Sequence, residues 1–257
     1  MADASRGGAR CAPVAPYAGL RLGLRTGPLQ WVLDRAPTPR RNPFALLYLL
    51  VLAGTTVFAR LADPRLVHQL QTMSSTDGHH LLSTPVRSLL MSGLWVAGPV
   101  WMPYLWAFAF TVAPLERRVG PLRAAGVFAA GHVAGTLLSQ LVVGVAVALG
   151  KIGPGILDEL DIGVSYGVLA SLGALSGLLT PRGRLLGLTG AVLLIVHQIT
   201  SDQDLVTAVG HPTALLAGVA LWPVLRRPRR GPRGPLRPVR QRSRLDANLT
   251  QPALDRA

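Results

Sequence analysis

The 257-residue sequence holds one cysteine, Cys11, so no disulfide forms within the chain and no cysteine-built metal centre is expected. Charge is scarce. Only 15% of residues are charged, against about 25% in soluble domains, which argues against a soluble globular enzyme. Acidic residues are scarcer still, 12 against 26 basic ones. Aromatics make up 5% and do not interleave with the basic residues, so the excess positive charge lacks the stacking groups of a nucleic-acid surface and no nucleic acid is expected as partner. The first ~40 residues contain no compact apolar stretch, so no signal peptide is expected there. His79 and His80 are adjacent and have no carboxylate cluster beside them. Neighbours in sequence do not converge on one ion, and neither a metal nor any other cofactor is expected.

What the chain does have is apolar sequence, 49% of it, gathered into long runs. Six runs of roughly 17–25 residues match the length needed to cross a bilayer. They lie near 43–62, 92–114, 121–149, 162–180, 184–200 and 206–225. The expected fold class is an all-α membrane protein, a six-transmembrane-helix bundle over 43–225. The flanks 1–42 and 226–257 are rich in Arg, Pro and Gly and read as basic, disordered tails. The connection 63–87 is long for a loop and carries Leu81, Leu82 and Val86, with Leu89 and Leu90 just beyond, so short interfacial helices are expected there.

The loops set the expected orientation. Glu116, Arg117, Arg118 and Arg123 follow the second span, and Arg182 and Arg184 join the fourth to the fifth. Lys151, Asp158, Glu159 and Asp161 follow the third, and Asp202 and Asp204 follow the fifth. Net positive segments thus alternate with neutral or acidic ones. By the positive-inside rule both termini are expected in the cytoplasm of a multi-pass protein of the cell membrane. The arginine-rich tails suit anionic lipid headgroups. A preference for Arg over Lys, with abundant Ala, Gly and Pro, is the composition of a high-GC bacterial genome.

Polar groups inside a bilayer are costly and need a reason. Ser165 in the fourth span and His211 in the sixth fall at similar depth, on the order of 5–10 Å below the outer surface at 1.5 Å per residue. A serine and a histidine at matched depth can form a nucleophile–base pair. Ala214 and Gly218 lie below His211 on its own face. Gly163, Gly167, Ala170, Ala174 and Gly177 give span four a small-residue stripe, which places that helix centrally in the bundle. His132 and His197 are the other intramembrane histidines, and each reads as a hydrogen-bonding contact between helices.

These residues resemble the motifs of the rhomboid family of intramembrane serine proteases. Gly163-Val164-Ser165-Tyr166-Gly167 is similar to the family's G-x-S-G motif, and Gly210-His211 followed by Ala214 and Gly218 is similar to its sixth-helix pattern. Glu116 and Gly120 resemble its E-x-x-x-G, and Arg87 lies where its first outer loop carries the Arg of a Trp-Arg pair. The resemblance implies Ser165 as nucleophile and His211 as general base, with Arg87, Glu116, Gly120, Gly167, Ala214 and Gly218 in structural roles. The implied substrates are single-span membrane proteins, cut near the outer end of their helix.

Several positions depart from the family. Tyr166 stands where it has glycine, Leu169 where an aromatic packs on the histidine, and Val86 where it has tryptophan. Val100 and Tyr104 occupy the places of a His and an Asn that stabilise the oxyanion. Of that pair only Tyr104 can donate, so Tyr104 and Gly163 are the expected oxyanion or support residues. Two alternatives stay open: an inactive rhomboid-like protein that binds transmembrane helices, and a small transporter or channel with His132 and His197 as relay groups.

Overall fold

The computed structural model describes residues 37–96, 102–202 and 204–227, and every regular element among them is helical. Cys11, Val100 and most of both tails lie outside the described residues.

Helix α1, Pro43–Leu61, opens on a proline that has no amide to leave unsatisfied. The next two amides are capped from far along the chain. Glu116 accepts from Phe44 N at 2.8 Å and from Ala45 N at 3.0 Å, and its side chain is buried. Asn42, also buried, donates from Nδ2 to the Ala113 carbonyl and accepts from Arg117 Nε at 2.9 Å. The expected tail boundary after residue 42 therefore moves: Asn42 belongs to the folded domain.

The connection that follows folds as α2 (Pro64–Ser74), α3 (Gly78–Ser83) and α4 (Pro85–Ser92). Asp63 caps α2 through the Arg65 and Leu66 amides, and Asp77 caps α3 through the His80 amide. Next come α5 (Met102–Ala107), a π-helical turn (Phe108–Val112) and α6 (Ala113–Val119). Pro114 has no amide to offer the Phe110 carbonyl, and its ring crowds that oxygen. The helix widens just before it, and the Ala113 amide reaches back to the Phe108 carbonyl. Gly120, at φ 85°, then turns the chain sharply into α7 (Pro121–Ala148), a conformation that residues with a Cβ rarely adopt.

A 3-10 turn (Pro154–Asp158) leads through an extended segment to α8 (Ser165–Ser176), followed by α9 (Pro181–Asp202), α10 (Leu205–Ala220) and α11 (Trp222–Leu225). Among the described residues, four helical stretches are long and apolar enough to cross a membrane: Pro43–Leu61, Pro121–Ala148, Pro181–Ser201 and Leu205–Leu225. The other two expected spans are shorter as helices. The break at the π turn divides one. The other, α8, has 12 residues, about 18 Å at 1.5 Å each.

Helices α7, α8 and α10 pack against one another. Small residues let the backbones meet: a Cβ on Gly131 would strike Ala170, one on Gly173 the Leu215 carbonyl, and one on Gly218 the Ala170 carbonyl. Such close approach lets dispersion hold helices together where lipid supplies no hydrophobic drive. Large apolar side chains such as Leu47, Leu50, Leu185 and Leu193 face outward, as a lipid solvent requires. At the end of the bundle away from Ser165, Trp222 Nε1 donates to the Gly173 carbonyl at 2.8 Å. The guanidiniums of Arg184 and Arg226 both lie 5.0 Å from the Trp222 ring. Arg226 also donates to the Gly177 carbonyl through Nε and Nη2, so the folded domain includes Arg226, which the sequence assigned to the tail.

Candidate active site

The extended leader before α8 fixes where Ser165 stands. Gly163 takes φ 150°, and the helix starts at Ser165 itself rather than near Ile162. Ser165 is therefore at the first helical position and not one turn into a span. The first intrahelical bond of α8 runs from the Val168 amide to the Val164 carbonyl. The amides of Ser165, Tyr166 and Gly167 precede it, so the helix supplies them no acceptor.

Helix α10 presents the histidine. Asp204 caps it through the Val206 and Thr207 amides, at 3.1 and 2.8 Å. Ser165 Oγ lies 3.0 Å from His211 Nε2, within hydrogen-bond range, and the imidazole is buried. Ala214 is buried below it, and Gly218 admits the Ala170 backbone, so α8 and α10 close to the distance this contact needs.

Tyr166, the next residue after the serine, packs on the histidine. Its ring centroid lies 5.4 Å from that of His211 at an interplanar angle of 74°, an edge-to-face contact. The hydroxyl donates to the Val206 carbonyl at 3.4 Å. Space for the ring comes from two glycines. A Cβ on Gly135 would approach Tyr166 Cγ to 2.9 Å, and one on Gly210 would meet the phenol directly. Read from sequence, Tyr166 is only a departure from a glycine. In three dimensions it supplies the aromatic contact that Leu169 does not.

Ser165, Tyr166 and His211 line a cavity of roughly 390 Å³, together with Tyr104, Gly163 and Gln140. Tyr104 bonds to no described residue, which leaves its hydroxyl available to the cavity. Gly163 is different: its amide donates to the Ser92 carbonyl at 3.1 Å. Of the two roles expected for Gly163, oxyanion or support, this bond engages its amide in support of the leader. Arg87, expected in a structural role, is exposed on α4 and bonds to no described residue; the connection between α1 and α5 is braced by other residues.

That bracing falls to Ser75, Thr76 and Asp161, which composition and spacing did not single out. The Thr76 amide donates to the Asp161 carbonyl at 2.9 Å, and the Asp161 amide donates to Ser75 Oγ at 2.9 Å. The Asp161 carboxylate accepts from Thr76 Oγ1 at 2.9 Å and from Gln140 Nε2 at 3.0 Å. Burial pushes the Asp161 carboxyl above its ordinary value; those two donors oppose the shift, and Asp204 and Asp77 add to it. Asp77 moves the other way. Burial works against its ionisation, but bonds from the His80 amide, Ser75 and the His80 ring outweigh it and hold the carboxyl below its ordinary value.

The remaining motif residues have structural contacts. Gly167 lies against the Phe128 ring with no room for a Cβ. His132 Nε2 lies 3.1 Å from Ser92 Oγ and 3.0 Å from the Leu89 carbonyl, tying α7 to α4. His197 is exposed on α9 and shares no contact with His132.

Apolar helices of spanning length, packed through small residues around a polar cavity, define a multi-pass membrane protein. The family model described as rhomboid-like protein matches residues 39–231, and the chain belongs to that family. No curated protein and no solved structure matches it.

Proposed function

We propose that the chain is an intramembrane serine protease, with Ser165 as nucleophile and His211 as general base. The single observation that carries the reading is the 3.0 Å approach of Ser165 Oγ to His211 Nε2 inside a cavity. Ser165 Oγ attacks the scissile carbonyl carbon while its proton passes to His211 Nε2. The imidazolium then returns that proton to the departing amine, leaving an acyl-serine that water cleaves by the same steps. Tyr166 takes over part of the orienting work that a carboxylate performs in a triad, by holding the imidazole plane. Negative charge on the carbonyl oxygen would be met by the Ser165 amide at the open start of α8, favoured by the helix dipole, and by the Tyr104 hydroxyl.

In this reading the bundle crosses the membrane six times. The broken helix through 102–119 and the short α8 complete the count, the latter because its extended leader covers the rest of the distance. Both termini lie in the cytoplasm, the cell membrane is the site of action, and the basic tails meet anionic lipid headgroups. Clients are single-span proteins whose helix unwinds near its outer end, where water enters the cavity. No cofactor takes part, and nucleic acid is not a partner.

A rival reading keeps the same fold without hydrolysis, as a binder of transmembrane helices. Val100, apolar where the family has an oxyanion donor, favours it. Purified protein treated with a fluorophosphonate probe separates the two. Labelling of the wild type that is lost in Ser165→Ala and in His211→Ala supports the dyad. A wild type that neither labels nor cleaves a model membrane helix leaves only the binder.

A further inference from the structure

The walls of the cavity beside Ser165 carry acidic side chains and no basic one to face them. Glu159, Asp161 and Asp204 bring three carboxylates to it, and no Arg or Lys lines it. Two amide oxygens, Gln140 Oε1 and Gln198 Oε1, are buried without a hydrogen-bond partner, and both residues line the same space. Gln140 is itself 9% exposed. Its orientation is chemically fixed: Nε2 faces the Asp161 carboxylate at 3.0 Å, which only a donor can do, so Oε1 must point elsewhere. A buried acceptor left unpaired is costly, and two of them beside carboxylates that no lining Arg or Lys neutralises describe a place for a cationic donor.

From this arrangement we infer that the cavity takes the side chain of an arginine or lysine from the client helix, next to the segment presented to Ser165. The inference rests on the reading that the cavity receives a membrane-helix client. The acceptors suit an organic cation better than a metal ion. Among the described residues no three His, Cys, Asp or Glu side chains converge closely enough to hold a metal. A guanidinium spreads five donors over a planar fork and reaches acceptors that a single ion cannot bridge. The volume of roughly 390 Å³ admits such a side chain together with water. The choice is selective, because the outer flanks of membrane helices are poor in basic residues. A client marked by one there stands apart from the bulk of membrane helices.

Full-length Ser165→Ala protein in phosphatidylcholine nanodiscs is titrated with labelled single-span peptides. The peptides carry Arg, Gln or Glu at one of several positions at the outer end, and binding is followed by energy transfer. The Arg peptide is expected to bind about ten-fold more tightly than the Gln peptide at its best position, the scale of one charge-assisted bond, with the Glu peptide weakest. Adding Glu159→Gln and Asp204→Asn is expected to reduce the Arg preference to less than about two-fold, each charge being one partner of the cation. Asn retains one of the two oxygens with which Asp204 caps α10 and is itself a favoured cap, and Glu159 is exposed; thermal unfolding of the variant checks that the fold is kept. Equal binding of Arg and Gln peptides to the parent, or an Arg preference that survives both substitutions, overturns the inference. Binding is read where no serine can react, so the result is independent of fluorophosphonate labelling. A chain that prefers arginine but never labels loses the protease reading and keeps the cation site. One that labels but shows no preference does the reverse.

Discussion

Tyr166 and His211 meet edge to face, with ring centroids 5.4 Å apart, on two helices that both begin within a few residues of this contact. The tyrosine follows the serine that the histidine approaches, so one turn of α8 supplies two contacts to the imidazole. Tyr166→Ala removes that support and opens the Gly135–Gly210 groove. The expected loss in fluorophosphonate labelling rate is about ten-fold or more, since a small misplacement of a base costs that much. Tyr166→Phe keeps the ring, gives up the hydroxyl's bonds to the Val206 carbonyl and to Ser139, and is expected to keep near-parental labelling. Equal losses in the two variants would mean that the hydroxyl, not the ring, matters.

Glu116 bonds the α1 amides with both of its oxygens and lies buried where water cannot replace it. Glu116→Ala strands two donors and is expected to cost about 2–6 kcal/mol, at about 1–3 kcal/mol per unsatisfied group. Glu116→Gln keeps one acceptor and falls between. Thermal unfolding in detergent, read by tryptophan fluorescence, gives the order wild type, Gln, Ala.

Gly135 tests the close packing around the site. Gly135→Ala places a methyl 2.9 Å from Tyr166 Cγ and 3.1 Å from the Gly210 carbonyl. Overpacking of this kind is expected to cost about 1–3 kcal/mol and to displace the tyrosine. Gly144→Ala, on the same helix with open space around it, is expected to be neutral or slightly stabilising. Melting temperatures of the pair check the contrast.

The raised pKa of Asp161 gives a pH dependence with a definite sign. In the unfolded chain the carboxyl titrates near about 4; in the folded protein it holds its proton to higher pH. The native state therefore binds more protons across that window, and stability from this group falls as pH rises from the unfolded pKa through the folded one. Asp161→Asn keeps an oxygen for Thr76 and Gln140 and never ionises. The melting temperature of Asp161→Asn minus that of the wild type is expected to grow from about pH 4 upward and then level off. A constant difference across the range would show that the carboxylate is not the source.

The similar level of Ser165 and His211 was legible from sequence because position along two parallel helices follows from counting residues; which way each side chain turns was not. The small-residue pattern of α8 likewise announced a central helix, and Gly131, Gly173 and Gly218 show how closely its neighbours come. Other features were hidden. The capping of α1 by Glu116 joins residues more than seventy apart, and no local pattern points from one to the other. The start of α8 was misplaced by three residues because Ile162, Gly163 and Val164 are as apolar as the helix they precede. What ends the helix there is the backbone turn at Gly163 and the bond of its amide to Ser92. The contact of Tyr166 with His211 was missed because it needs the combined absence of side chains at Gly135 and Gly210, on two different helices.

The bond between Thr76 and Asp161 joins chain positions 85 residues apart. During synthesis the ribosome delivers Thr76 long before its partner, and the short helices after α1 must wait with their polar groups facing water. They acquire their mates only when the leader to α8 emerges. A nascent or truncated chain ending before Asp161 thus cannot latch the short helices that follow α1. The hydroxyl of Ser165 comes into being together with the clasp that holds its surroundings still.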